Sequence, residues 1–245
     1  MVGSLEELAP GRDQEAQKKR VLQQSRALRS ATRATRDGIA QIGRLCSAAR
    51  RTKLTVMGEG GSCVYVIASG RVRVERALPS GRTMHVAHLG RGDLVGDLTL
   101  DQGRACDTAI VVEDATVLAL PVLDVLELAA RDSGVYQVLG AALVERSRML
   151  EDRLESLLLH KVEARLAAFL LYSMDRWGSS GPDGVVLGTS LRHHEIANMI
   201  GTGREWVTMT LTKLRRRKIL GAVGRRVLVR SVDQLRALAA GQRSL

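Results

Sequence analysis

The hydrophobic period of this chain changes at Pro121, and that change restricts the folds open to it. Before it, short β-favouring runs alternate with turns: Cys63-Val64-Tyr65-Val66-Ile67, a turn at Gly70, then Arg71-Val72-Arg73-Val74 and a turn at Pro79-Ser80-Gly81. From Arg71 to Glu75 apolar and charged residues strictly alternate, the signature of a strand with one dry and one wet face. Further strands are predicted over residues 83–89, 109–112 and 116–120. Turns at this spacing predict a small antiparallel β-barrel or jelly roll. After Pro121 the period is helical. Leu143, Leu150 and Leu157 recur every seven residues, with Leu139, Leu154 and Leu158 beside them and charged residues on the other faces. Such a repeat calls for a facing helix, and a second copy of the chain supplies one. Packing on the chain's own barrel is the other way to cover the stripe. Arg146 and Arg153 fall near the seam and make it imperfect.

A further helix is predicted over residues 162–177, followed by a Gly/Ser/Pro turn over 178–184 and a short strand, Val185-Val186-Leu187. Next come two short helices joined at a glycine. Ile196, Met199 and Ile200 share one face, Gly201 breaks the helix, and the next helix buries Val207, Leu211 and Leu214. Thr202 and Glu205 have capping-box spacing. This is the helix-turn-helix pattern. Ile219-Leu220-Gly221 and Val227-Leu228-Val229 flank Val223-Gly224-Arg225-Arg226 and predict a two-stranded wing with a basic tip. The expected class is α+β: a basic N-terminal arm (1–40), a β-barrel (41–122), a long dimerisation helix (123–160) and a C-terminal winged helix-turn-helix (161–245). The arm is expected to be mobile or partly helical.

Charge is segregated along the chain. The total is +11, yet residues 11–53 carry 12 Lys/Arg against 3 Asp/Glu, residues 54–190 carry 13 against 18, and residues 191–245 carry 12 against 3. Two basic ends point to a polyanionic partner. Aromatic residues are only 2%, which argues against a base-stacking platform for single strands or RNA. No membrane span or secretory signal is read, so a cytoplasmic protein is expected. Cys46, Cys63 and Cys106 form no CxxC pair and read as reduced thiols, either small buried apolar groups or redox sensors. His193 and His194 diverge on a helix, and His85 and His88, three apart on a strand, are expected on opposite faces; no metal site is expected. There is no Walker loop, HExxH or GxSxG, so catalysis is not expected.

The order of these segments resembles the Crp/Fnr family of bacterial transcription regulators, over about residues 50–235. The resemblance rests on Gly58-Glu59 before Val64-Tyr65-Val66-Ile67, on Gly70, and on Gly92-Asp93-Leu94-Val95-Gly96-Asp97-Leu98. Val162-Glu163-Ala164-Arg165-Leu166-Ala167 and Glu195-Ile196-Ala197 with Gly201-Thr202-Gly203-Arg204-Glu205 complete it. The resemblance implies a cyclic-nucleotide-binding-type barrel, and here the chain departs from the pattern. Cyclic-AMP-binding relatives have Gly-Glu-Leu for the ribose and, eleven residues beyond that glycine, an Arg-Ser or Arg-Thr for the cyclic phosphate. This chain has Gly96, Asp97 and Leu98, then Asp107 and Thr108. A carboxylate at that point is expected to repel the anion, and Arg104 could reach in only if the loop refolds. Leu150 and Glu151 stand where relatives meet the adenine, and Leu150 suits a helix seam better than a purine edge. No cofactor is therefore expected, cyclic AMP included. Control by a cyclic dinucleotide or another small effector is the alternative.

For the C-terminal head, the resemblance implies base reading by Arg204 and Glu205, a guanidinium for guanine and a carboxylate for the cytosine amino group. Glu205 could instead only cap the helix and orient Arg204. Met209 replaces the family's second base-reading arginine, so a different sequence preference is expected. Arg192, His193, Thr202, Thr208, Thr210, Thr212, Lys213, Arg225 and Arg226 are candidate backbone and wing contacts, and Arg215-Arg216-Arg217-Lys218 supplies charge without specificity. The implied partners are double-stranded DNA with a near-palindromic site, a second copy zipped through Leu139, Leu143, Leu150, Leu154 and Leu157, and RNA polymerase or other regulators. A head that docks a protein in place of DNA is the rival reading of the same basic surface.

Overall fold

The computed structural model describes residues 5–8, 14–79, 81, 83–96, 104–188, 192–224 and 226–241. The chain forms two compact units that divide after Arg148. The first contains β1 (Glu6–Glu7), α1 (Gln14–Gln24), α2 (Arg33–Ile42), β2 (Arg44–Ala48), β3 (Lys53–Thr55), β4 (Cys63–Ala77), β5 (Thr83–Leu89), β6 (Leu94–Val95), β7 (Thr108–Pro121) and α3 (Val122–Arg131). Its last helix, α4 (Gly134–Leu159), runs on into the second unit. The strands pair antiparallel in the order β1-β2-β7-β4-β5, with β3 also on β7 and β6 also on β4.

Two pairs of predicted strands merge. The runs on either side of Gly70 are one strand, β4, and the two runs between 109 and 120 are one strand, β7. Gly70 is not a turn. It sits at φ +82°, where the β4–β7 register shifts, and a β-carbon there would strike the Asp114 carbonyl, so the chain bulges and continues. Val72 and Val74 of β4 face the barrel core with Ala109 and Val111 of β7. On the opposite face Arg71 pairs with Glu113, and Arg73 Nε donates to Glu75 Oε2 at 3.0 Å.

A second bulge corrects the expected divergence of the two strand histidines. Val74 pairs with Ala87 but Glu75 pairs with His85, so Val86 is an extra residue. The insertion returns His85 to the face of His88. Both are buried, their ring centroids 6.1 Å apart. Burial, reinforced by His85, Arg73 and Arg71, holds His88 down at about 3, so its ring is neutral at physiological pH. Among the described residues no group of three or more His, Cys, Asp or Glu could hold a metal ion. Cys46 is buried and its thiol is raised by that burial, Cys63 is half-buried, and Cys106 is exposed.

In its described residues the N-terminal segment is partly helical, as expected, but it is packed and not a loose arm. Val21, Leu22, Leu28 and Ile39 join Leu45, Leu118, Val125, Val135 and Val138 in one core that welds α1 and α2 to the barrel and to α3 and α4. The Thr32 hydroxyl caps α2 by accepting from Thr35 N. Leu139 also lies in this core, which removes it from the expected seam. Leu143, Leu150, Leu154 and Leu157 are exposed.

The second unit contains the end of α4, then α5 (Val162–Trp177), β8 (Gly178–Gly181), β9 (Gly184–Leu187), α6 (His193–Ile200), α7 (Arg204–Arg216), β10 (Leu220–Val223), β11 (Arg226–Val229) and α8 (Val232–Ala239). Residues 178–187, read in part as a turn, form a hairpin. It extends the wing into a sheet of order β10-β11-β9-β8. Leu166 and Leu170 of α5, Ile196 of α6, Leu211 and Leu214 of α7, Val229 of β11 and Leu235 of α8 close the core. No helix among the described residues is long and apolar enough to cross a membrane.

Candidate nucleic-acid interface and effector pocket

Helices α6 and α7 are set by a glycine that no other residue could replace without strain. Gly201 caps α6 in the left-handed conformation, φ +65°, and a β-carbon there would come within 2.5 Å of Leu157 Cδ2. The cap of α7 differs from the sequence expectation. Thr202 N donates to the Ala197 carbonyl and closes α6, so Gly203 is the N-cap and makes no side-chain capping bond. Glu205 therefore lies in the first turn of α7, exposed beside exposed Arg204, and carries no capping-box role. The carboxylate that does reach back is Glu195, which accepts from Arg192 N at 3.0 Å.

With Val207, Thr210, Leu211 and Leu214 buried, the helical repeat turns Glu205, Met209, Thr212 and Arg216 outward. Lys213, Arg215, Arg217 and Lys218 are exposed beside them, as are Arg192 and Arg226. Thr210 is buried and cannot be a phosphate contact. His193 and Thr208 also bond to each other. His193 Nδ1 lies 2.8 Å from Thr208 Oγ1, whose proton goes to the Arg204 carbonyl at 3.0 Å, so the histidine donates and braces α6 against α7. Partial burial, with Arg215 and Arg204 nearby, lowers the proton affinity of His193. Arg225 lies outside the described residues.

In the first unit, Asp107 is the decisive side chain. It is only 7% exposed, and each carboxylate oxygen accepts from a different arginine: Oδ1 from Arg76 Nε and Oδ2 from Arg146 Nη2, both at 2.7 Å. Arg76 ends β4 on the face of Val72 and Val74, and Arg146 projects from α4, so one acid joins barrel and helix. The bond to Asp107 also raises the proton affinity of Arg76. The expectation that Asp107 simply repels anions is thereby revised. The three groups together carry a positive charge, and one donor of each arginine is already engaged by an internal anion. Arg104 is not a partner; it bridges Gly60 through its backbone. Thr55 fastens the segment, its hydroxyl donating to the Asp107 carbonyl and accepting from Ala109 N. The Thr108 hydroxyl accepts from Met57 N at 3.1 Å.

Gly96 keeps a positive φ of 132°, and a β-carbon there would press on the Cys63 carbonyl and Val64 Cα at 3.0 Å. Asp97 and Leu98 lie outside the described residues. Leu150 and Glu151 are exposed on the part of α4 that belongs to the second unit. Sequence reasoning missed Arg76 and Arg146 as partners of Asp107. A signal for Arg76 existed: it continues the even-numbered, core-facing parity of Val72 and Val74, and an arginine on a dry face needs an acid.

Comparison with known proteins agrees with this division. Residues 47–132 match the cyclic nucleotide-binding domain family and residues 164–238 the Crp-like helix-turn-helix domain family. A protein named cyclic AMP receptor protein from Thermus thermophilus is 34% identical over 187 residues, covering 75% of this chain and 82% of the relative. A global nitrogen regulator from Synechococcus elongatus is 27% identical over 175 residues, covering 70% and 79%. A solved Crp-family transcriptional regulator from Thermus thermophilus superposes with a TM-score of 0.68 at 27% identity, over 79% of this chain and 96% of that one. With both halves matched in order and a helix-turn-helix of the same kind, the chain belongs to the Crp/Fnr family of DNA-binding transcription regulators.

Proposed function

We propose that this protein acts as a cytoplasmic homodimer that binds a near-palindromic DNA site without cyclic AMP. The observation that carries the reading is the Asp107 carboxylate locked between Arg76 and Arg146. Two guanidiniums converging from a barrel and a helix would suit the anion of a ligand. Here the chain brings its own anion, and a phosphate would have to compete with a largely buried, doubly bonded carboxylate for the two guanidiniums. The dimer is supported by the exposed apolar residues of α4, Leu143, Leu150, Leu154 and Leu157, with Val144 and Leu158 beside them. Pairing that stripe with a second copy takes it out of water. The paired α7 helices would then enter successive major grooves about one helical turn apart, with Arg204 and Glu205 at the base edges.

Titration of a duplex selected from a random pool, with and without cyclic AMP, tests this reading. Binding by the purified protein alone, unchanged by the nucleotide, is expected, and Arg204→Ala should weaken the selected site by about 1–3 kcal/mol. A tenfold or greater gain on adding cyclic AMP would overturn the claim of independence. The alternative is control by a cyclic nucleotide, and it has support of its own: a relative from Mycobacterium tuberculosis, 26% identical over 179 residues, is named a cAMP-activated global transcriptional regulator. A cyclic dinucleotide belongs in the same titration.

A further inference from the structure

On helix α7 an apolar side chain lies in the outward stripe whose other members, Glu205, Thr212 and Arg216, are charged or hydroxylic. Met209 is 47% exposed between Glu205, one turn earlier, and Thr212 and Lys213, about one turn later. It has no part in the core that Val207, Leu211 and Leu214 form. An apolar side chain in that position gains free energy when an apolar group of a partner covers it.

We infer that Met209 selects thymine, packing its thioether against the C5-methyl group of one thymine in each half-site. The inference rests on α7 being the reading helix, as proposed above. The second helix of a helix-turn-helix presents its outward residues to the base edges of the major groove. Across those edges the hydrogen-bonding groups serve arginine, asparagine and glutamate. The thymine methyl is the apolar group on display there. A thioether has no N–H to give and is a weak acceptor, so it gains little from guanine, adenine or cytosine. Its position one helical turn beyond Glu205 places the thymine next to or near the base pair that Glu205 reads. Trp206, also exposed, lies nearer the flank of the helix with Lys213, away from the centre of the stripe.

The test is one atom group wide. In the duplex selected by the wild-type protein, each thymine is replaced in turn by uracil, symmetrically in both half-sites, which deletes the methyl and keeps every hydrogen-bonding group. Uracil at one symmetric pair of positions should weaken binding about fourfold per half-site, the value of one buried methyl or methylene group. Met209→Ala should abolish the difference between thymine and uracil there, and Met209→Leu should preserve it. Equal affinity for thymine and uracil at every position, with sequence-specific binding intact, would overturn the inference and leave the DNA-reading helix standing. Failure to enrich any sequence from the pool would instead sink the reading on which it rests.

Discussion

Replacing Asp107 by asparagine removes a charge and almost no volume, so its effect isolates the electrostatic clasp between barrel and helix. The carboxylate is 7% exposed and accepts two guanidinium N–H bonds at 2.7 Å. Hydrogen bonds to charged groups contribute about 1.5–3 kcal/mol each. Both arginine heads are about two-fifths exposed, which brings the lower end of that range into play. Asparagine keeps one carbonyl acceptor and turns an amide N–H₂ toward the other arginine. A net loss of about 2–3 kcal/mol is expected, a fall in Tm of roughly 5–10 °C for a unit of this size. Thermal and urea unfolding of the full chain read the loss directly. DNA affinity without nucleotide should fall as well, because Arg146 no longer anchors α4. In Asp107→Ala the two guanidiniums face a gap, and millimolar inorganic phosphate should raise the Tm of that variant while leaving the wild type unmoved. An Asp107→Asn protein with unchanged stability and unchanged DNA affinity would refute the reasoning.

Two further outcomes are expected. Leu154→Asp should split the proposed dimer: losing from each copy one leucine that the pairing would bury costs about 4 kcal/mol in total, roughly a thousandfold in the dissociation constant, measured by sedimentation equilibrium. The second concerns His88, which folds neutral with its proton affinity pushed down to about 3 from 6.5. The unfolded chain binds the extra proton between those values, so the stability that neutral His88 contributes is complete above about pH 6.5 and is lost as pH falls toward 3. By pH 5 the loss is about 2 kcal/mol, and His88→Gln should flatten that part of the stability profile.

What could be read from the sequence was whatever depends on near neighbours. The strand over residues 83–89 and the helix over 162–177 have the limits expected of them, because local composition and flanking turn residues set those limits. Gly201 announced the turn between α6 and α7, and the outward placement of Glu205 follows from the buried positions of Val207, Leu211 and Leu214. Bulges were not legible. One inserted residue, Val86, reverses the parity of everything before it, and nothing in its side chain marks the insertion. The clasp was half legible. The parity of β4 points Arg76 inward, but Asp107 lies 31 residues away and Arg146 a further 39 beyond it, distances at which sequence order carries no contact information. The packing of α1 and α2 escaped for a similar reason: Val21, Leu22 and Leu28 are few among polar residues, and much of the surface they fill comes from β7, α3 and α4, far later in the chain.

Those two leading helices bear on how the protein can be trimmed. The region shared with the cyclic nucleotide-binding domain family starts at residue 47, which invites a shortened version beginning there. Such a cut would strip away Leu22, Leu28 and Ile39, leaving Leu118, Val125 and Val138 facing water on the surface they used to cover. Each large side chain uncovered forfeits about 1.5–3 kcal/mol, and a handful of them match the whole margin by which a typical domain stays folded. The outline shared with the family and the piece of this chain able to stand alone are therefore different lengths.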